Sequence, residues 1–535
     1  MCLSFKAIFF ILFIAFPLGI SAQFTDPQAY VKGYLYDADK KEPIPFATVK
    51  VKGWSKGVVS NRNGSFRIPK TFATLNDTLV VSSMGYHSKE VLLGQMMTKE
   101  LNVIFLEPHV YGLEETVVYG KRKRKLSARA IAKKAIRAIP ENYPNYPFSL
   151  LGYYRDYQWH KNDYLNLNEA ILSIYDQGFE SKDGQSTAFA LHTIMMNESF
   201  PRDTLSSKPY DYEQWSKTID RAHLDAYGGN ELRILRIHDA IRNYEVSSYS
   251  FVYTLKSQFL NRHRFERKRD IFFNDEPLYN ITFTKSQNGY AAYGHLFIDK
   301  ENFSIYKLHY SLFFTDTYGK SDTSSDGPKR ELIFEVVNEY RPFQDQMYLN
   351  YITFNNSFRL PEPPRFFAEE LVVEIDKQQL RLKFNNPVDE QKASSISNYK
   401  LEFFGKPLPL KKAVMDTSDP TSVLLLPKFT NERAKIDFYD YFQRNRGNKK
   451  AGKELFCQLS SITDTVGNLV NKIYDYREYR QFREFFTQEV LQDFERPAPA
   501  FLMNKNIPVF EGQPALERDD IKNYWMNTPL KVIDN

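Results

Sequence analysis

Between Val31 and Leu106 apolar and polar residues alternate in short runs separated by turn residues. The runs are Val31 to Asp37, Ala47 to Lys52, Val58 to Ser60, Ser65 to Ile68, Thr78 to Ser83, His87 to Leu93 and Leu101 to Leu106. Their length and two-residue period predict a seven-stranded β-sandwich. Asn63-Gly64 and Gly85 tolerate the positive φ of tight turns, whereas Pro43 and Pro45 lack amide donors and belong in a loop or at a sheet edge.

The pattern changes at Ser127, a capping residue ahead of Ile131, Ala135 and Ile139 at four-residue spacing; Pro140 ends the predicted helix, and Lys133, Lys134 and Arg137 form its outer side. G-Y-Y-R-D-Y (152–157) and Leu165 to Tyr175 read as extended. Residues 181–245 read as polar loop and helix, with Asn230 as a cap and Leu232, Leu235 and Ile241 forming a core face around a structural His238. From Tyr279 to Phe358 alternation returns as a meander, turned by Asn288-Gly289, with Tyr306, Leu308, Tyr310, Leu312 and Phe314 on one face and His309 on the other. This predicts a large antiparallel sheet with one covered face. Pro361-Glu362-Pro363-Pro364 marks a boundary. Short strand runs beyond it predict a second sandwich, and Phe482, Phe485 and Phe486 fit a helix face or a strand equally well. The expected organisation is mainly β: leader 1–22, sandwich 29–107, basic linker 108–126, central α+β domain 127–360, second sandwich 366–475 and an irregular tail 476–535.

Composition sharpens this picture. Charged residues at 25% and apolar ones at 42% fit a globular chain of 535 residues, and 35 Tyr with 43 Phe favour strands. A net charge of +6 speaks against nucleic acid as a partner. Lys6, the apolar run Ala7 to Ile20 and Ser21-Ala22 before Gln23 have the layout of a cleaved export signal, too short to span a membrane in the usual way. The expected location is the periplasm or the outer membrane's periphery, with the cell surface as the further alternative. Cys2 falls in the leader, so Cys457 is the mature chain's one cysteine and no intrachain disulfide can form. In F-C-Q-L-S-S, Cys457 reads as an apolar filler. The run Lys121 to Lys125 reads as a solvated linker, and Arg262 to Arg269 has too little aromatic interleaving for a nucleic-acid strip.

G-Y-L-Y-D, P-I-P-F-A-T-V-K-V-K-G, N-G-S-F-R-I and S-S-M-G-Y resemble the carboxypeptidase-regulatory-like domain, a transthyretin-like sandwich of exported Bacteroidetes-type proteins. The resemblance implies a binding or scaffolding module and no chemistry. Trp54 and Asn61 depart from it, standing where a small hydroxyl residue and Asp are frequent. E-E-T-V-V-Y-G (114–120) is similar to the connector of TonB-dependent receptors, but no plug or barrel series follows, so that function does not carry over. F-N-N-P-V-D and T-D-T-V-G-N resemble bacterial Ig-like domains, which implies a spacer or interaction module at 366–475. The central meander is similar to the curved half-barrels of periplasmic lipoprotein carriers, which would cradle an apolar ligand.

The regulatory family's name invites a zinc-peptidase reading, and one H-x-x-E occurs, His87 to Glu90. Positions three apart on a strand point to opposite faces, so the two diverge. No G-x-S-x-G, Walker loop, dinucleotide fingerprint, paired Cys ligands or H-E-x-x-H is present, and the acids Glu369-Glu370 or Asp270 with Asp275 would have to be assembled by folding. Glu169 falls in register with Leu167 and Ile171, so it needs a buried partner; Arg155 in the preceding strand is the candidate, as an interior ion pair or a polar site in a cleft. No catalytic residue, cofactor or metal is expected. The expected function is a non-catalytic envelope protein that binds or scaffolds a protein, glycan or lipid through the central domain. The alternative is a hydrolase or peptidase-related enzyme with its site there.

Overall fold

Each of the seven alternating runs becomes a strand: β1 (Tyr30–Asp37), β2 (Thr48–Val51), β3 (Gly57–Val59), β4 (Ser65–Pro69), β5 (Thr78–Ser82), β6 (Lys89–Leu92) and β7 (Asn102–Leu106). They form two sheets, ordered β4-β1-β7 and β3-β2-β5-β6, with β1 and β7 parallel. Strict alternation of burial along β1 sends Val31 and Leu35 into a core shared with Val49, Phe66, Leu79, Val81 and Leu106. At the Asn63-Gly64 turn, Gly64 has φ +76°, and a Cβ there would lie 2.6 Å from the Leu35 carbonyl oxygen. The computed structural model describes residues 30–53, 57–72, 77–96, 101–109, 126–161, 163–207, 217, 219, 230–247, 254–315, 330–446 and 451–530. The leader, Trp54, E-E-T-V-V-Y-G and the basic run Lys121 to Lys125 lie outside these residues.

The fold is mainly β and divides into two units, Met1–Phe358 with Tyr479–Asn535, and Arg359–Glu478. The expected helix forms over Ala128–Arg137, capped by the Ser127 hydroxyl, which accepts from the Ala130 amide. The central sheet contains β8 (Phe148–His160), β9 (Asp163–Asp176), β10 (Ala188–Met196), β11 (Arg264–Arg267), β12 (Ile271–Phe273), β13 (Glu276–Gln287), β14 (Tyr290–Asp299), β15 (Ile305–Thr315), β16 (Arg330–Phe343) and β17 (Gln346–Pro361). An eleventh strand, Tyr476–Leu491, lies between β8 and β17; the order is β10-β9-β8-(476–491)-β17-β16-β15-β14-β13-β11, with β12 also on β13. On β8, Leu150 and Tyr154 face the helices Ala128–Arg137 and Glu231–Ile237. Leu151 and Tyr153 face Phe46 and Val59 of the sandwich.

The 476–491 strand corrects the expected irregular tail. Phe482, Glu484 and Phe486 occupy one face, Arg483 and Phe485 the other, and both faces are buried. A strand buried twice loses its two-residue hydrophobic period, which is why the sequence left helix and strand open. The following segment runs beside β10, where the amides of Met503 and Leu516 donate to the carbonyls of Phe189 and Leu191. This covers an otherwise open sheet edge. Trp525 then enters the sandwich core, its indole N–H donating to the Arg67 carbonyl at 3.0 Å.

In chain order the second unit is therefore an insertion rather than a C-terminal domain. It holds a four-stranded and a three-stranded antiparallel sheet around Phe366, Leu380, Leu382, Phe384, Val423 and Leu425. Its helix Glu432–Arg444 was not foreseen from the strand pattern. F-N-N-P-V-D and T-D-T-V-G-N meet there: Asn386 donates to the Asp464 carboxylate at 3.2 Å, and Val388 bridges to Asp464. Cys457 is half-buried on the strand Leu455–Leu459, and burial raises its thiol pKa to about 12, in keeping with an unreactive filler. Among the described residues no helix is long and apolar enough to cross a membrane.

Candidate functional site

Arg155 and Glu169 are cross-strand partners in the β8–β9 register and both are fully buried. Arg155 nevertheless forms its ion pair with Glu484 of the adjoining 476–491 strand, and it also donates to the Asn61 side chain and the Asn527 carbonyl. Glu169 accepts from the hydroxyls of Tyr153 and Thr528 and from the Asn197 amide. The two share one buried polar cluster beneath the sandwich, but they do not neutralise each other. Asn61, the departure from the family pattern, supplies a neutral acceptor where the guanidinium already has its carboxylate. Arg67 extends the cluster by donating to the Met526 carbonyl and the Thr528 hydroxyl, and Asn527 donates to the Val59 carbonyl. This assembly clamps the sandwich, sheet and C-terminal segment together.

A cleft of about 690 Å³ opens on the opposite face of β8, lined by Asp156, Gln158, Asn168, Arg202, Lys217, Glu231 and Gln481 on its polar side and by Met196, Pro508, Val509 and Phe510 on its apolar side. Between Asp156↔Asn168 and Gln158↔Leu165 the register shifts, leaving two residues of β9 against one of β8. This bulge contains Asn166 at φ +52°, a left-handed conformation that Asn tolerates better than most residues. Its side chain donates to Gln158 at 2.7 Å, to the Asp203 carbonyl at 3.0 Å and to the Ser206 hydroxyl at 3.1 Å. Gln158 in turn donates to the Ser206 carbonyl and to Gln481. The polar wall is thus a hydrogen-bonded frame with fixed side chains.

Two ionisable groups in this frame titrate far from their usual range. Burial and then the Glu231 charge push Asp156 up to about 7, against hydrogen bonds from Asn168 at 2.9 Å and Tyr154 at 3.0 Å. Burial pulls the Lys217 ammonium down to about 8; it donates to the Ser206 carbonyl at 2.8 Å and lies 4.4 Å from the Phe358 ring centroid. Glu231 pairs with the buried Arg483, which also donates to Asn356. Asn230 caps the helix Glu231–Ile237 as its sequence position predicts. That helix is anchored by Arg236 to Asp176 and Asp183, and Arg242 holds Asp176 at 2.8 Å.

The other sequence candidates are placed as follows. His238 is fully buried, stacked on Phe354, with Nδ1 2.6 Å from the Ile234 carbonyl, a structural histidine. Asp270 pairs with Arg267 and Lys300, whereas Asp275 lies beside His109. Glu369 is 3.8 Å from Lys383. Glu90 pairs with Lys52 on the sandwich surface. Asp156 is a candidate that the sequence pattern does not single out, since its burial depends on the pairing of β8. The available signal was an acid inside an aromatic strand, register-matched to N-L-N-E.

Residues 31–118 match the CarboxypepD_reg-like domain family. No curated protein matches the chain, and no solved structure does. The N-terminal sandwich is thus a carboxypeptidase-regulatory-like domain, and every residue lining the 690 Å³ cleft lies beyond the matched span.

Proposed function

We propose that the protein is an exported, non-catalytic cell-envelope protein that binds a glycan in the β8–β9 cleft. The observation that carries this reading is the two-sided lining. Fixed amide and carboxyl groups on one wall suit sugar hydroxyls, and the Met196, Pro508, Val509 and Phe510 wall suits the C–H face of a sugar ring. An apolar lipid tail or a flat protein surface fits this lining less well. The regulatory-like sandwich and the second unit, read as an Ig-like module, serve as scaffold and spacer. The leader directs the chain to the periplasm, where it associates with the outer membrane peripherally.

A second reading is favoured by one observation. Asp156 near 7 and Lys217 near 8 are poised for proton transfer, as in a hydrolase. Titration calorimetry of the mature chain with envelope oligosaccharides, followed by product analysis, separates the two. Binding that falls by about tenfold or more in Gln158→Ala, with the glycan recovered intact, supports the binding protein. Cleavage that Asp156→Asn abolishes establishes the enzyme instead, and an absence of binding across the oligosaccharides sinks the glycan assignment.

A further inference from the structure

His87 does not meet Glu90, but the fold gives it other company. Tyr86 and Pro108 form an antiparallel bridge; the His87 amide donates to the Glu107 carbonyl at 2.9 Å, and the His109 amide to the Gly85 carbonyl at 2.7 Å. His87 therefore stands opposite Glu107, and His109 is its diagonal neighbour on the same face. Gly85, opposite His109, carries no side chain, so the two imidazoles lie against each other with centroids 3.7 Å apart and planes inclined by 18°. The other face of His109 rests on Phe272 of β12 at 4.1 Å.

The β12–β13 hairpin brings a carboxylate to this pair. Phe273 and Glu276 close a two-residue turn in which Asn274 has φ +48° and Asp275 φ +66°. The second position of such a turn favours glycine, and Asp is among the residues that adopt it with the least strain. Asp275 Oδ1 is 3.9 Å from His109 Nδ1, and one ligand atom from each of His87, His109 and Asp275 lies within 4.8 Å of the others. Two further contacts hold the hairpin against the sandwich: the Gly85 amide donates to the Phe272 carbonyl at 2.9 Å, and the Ser88 hydroxyl to Asn274 at 3.1 Å.

We propose that His87, His109 and Asp275 form a zinc site that clips the regulatory-like sandwich to the central sheet. Bonds of about 2.0–2.1 Å in a tetrahedral shell place ligand atoms roughly 3.3 Å apart. Reaching that spacing from 4.8 Å takes about 1.5 Å of movement, and the exposed His87 ring must also turn out of its stack on His109 so that the in-plane nitrogen lone pairs converge on one ion, with the three backbones already fixed by the contacts above. Two imidazoles and one carboxylate suit Zn²⁺ better than the oxygen-seeking Ca²⁺ or Mg²⁺. His87 and Asp275 are exposed, so the fourth position opens to water. The ligands come from the loop before β6, the segment after β7 and the β12–β13 turn, so the ion cross-links parts of the chain far apart in sequence.

The test uses the mature chain, free of any affinity tag and stripped with a chelator, titrated with Zn²⁺ by calorimetry and melted with and without it. One Zn²⁺ per chain and a higher melting temperature are expected. His87→Ala, His109→Ala and Asp275→Asn should each weaken binding by at least about tenfold, the scale seen on losing even a group that supports a ligand. Glu90→Gln should leave it unchanged, which separates this site from the H-x-x-E pair. Asp275→Asn lies in an exposed turn and keeps a residue suited to positive φ, so it tests the site even where His109→Ala loses its stack on Phe272 and fails to fold. Failure to take up Zn²⁺ at micromolar concentrations, uptake undiminished in Asp275→Asn, or uptake lost in Glu90→Gln overturns the proposal.

Discussion

Arg155 and Asp156 are consecutive on β8 and both buried, yet they face opposite sides of the sheet and meet opposite fates. Arg155 finds a carboxylate on the next strand and two neutral acceptors, so its charge is fully matched. Asp156 finds a tyrosine, an asparagine and the charge of Glu231, so the neutral acid is favoured. Burial by itself thus fixes neither role. A matched charge becomes a structural clamp, and an unmatched one at the edge of a cleft becomes a group that changes state near neutral pH.

Loss of the clamp is the costlier change. Glu484→Ala leaves the Arg155 guanidinium buried with neutral acceptors only, which should cost about 3–5 kcal/mol. The sequence has no tryptophan between Arg359 and Glu478, so fluorescence during urea unfolding does not report on the second unit, and Trp159 and Trp525 report on the unit that contains the clamp. A loss below about 1 kcal/mol would show that Asn61 and the Asn527 carbonyl suffice to hold the cation.

On the cleft side the sign reverses. Asp156 has a folded-state pKa near 7 against an ordinary value of 3.8, so the fold prefers its protonated form. The stability tied to that proton is complete below about pH 4 and is lost as pH rises to 7, a change of about 4 kcal/mol at most. Asp156→Asn removes this dependence: its stability should stay flatter than the wild type's from pH 4 to 7 and exceed it at pH 8. Parallel pH profiles for the two proteins would mean that Asp156 is ionised in the fold.

How much of this was legible in the sequence follows the same division. The sandwich was, strand by strand, because alternation survives along β1, β5 and β7, while the short β3 and β4, buried at nearly every position, are still marked off by the Asn63-Gly64 turn. In the meander from Tyr279, β14 keeps its alternation, whereas β17, beside the 476–491 strand, is buried along most of its length. Phe148 to His160 and Tyr476 to Leu491 are covered on both faces, so periodicity is silent about their place at the middle of the sheet. The polar cluster was half legible: Glu169 inside an apolar run signalled a buried carboxylate, but the partner of Arg155 lies more than 300 residues away, on the strand that only the fold brings alongside. Asp156 and the bulge at Asn166 depend on register, and a one-residue slip would exchange the clamp face for the cleft face.

That dependence gives the finest test. Asn166→Ala and Asn166→Gly both delete the bonds from Asn166 to Gln158, to the Asp203 carbonyl and to Ser206, so both loosen the polar wall alike. They differ in the backbone: at φ +52° alanine bears a left-handed penalty that glycine does not. Asn166→Gly should therefore be the more stable of the two by about 1 kcal/mol, while the two bind a cleft ligand equally weakly. Equal stabilities would mean that the bulge relaxes once its side chain is gone, and that the side chain holds the backbone in its bulged course. A gap of the expected size would mean that the β8–β9 register holds the bulge and Asn166 fills a place already made, so that the cleft, like the clamp behind it, is set by strand pairing before any polar contact is formed.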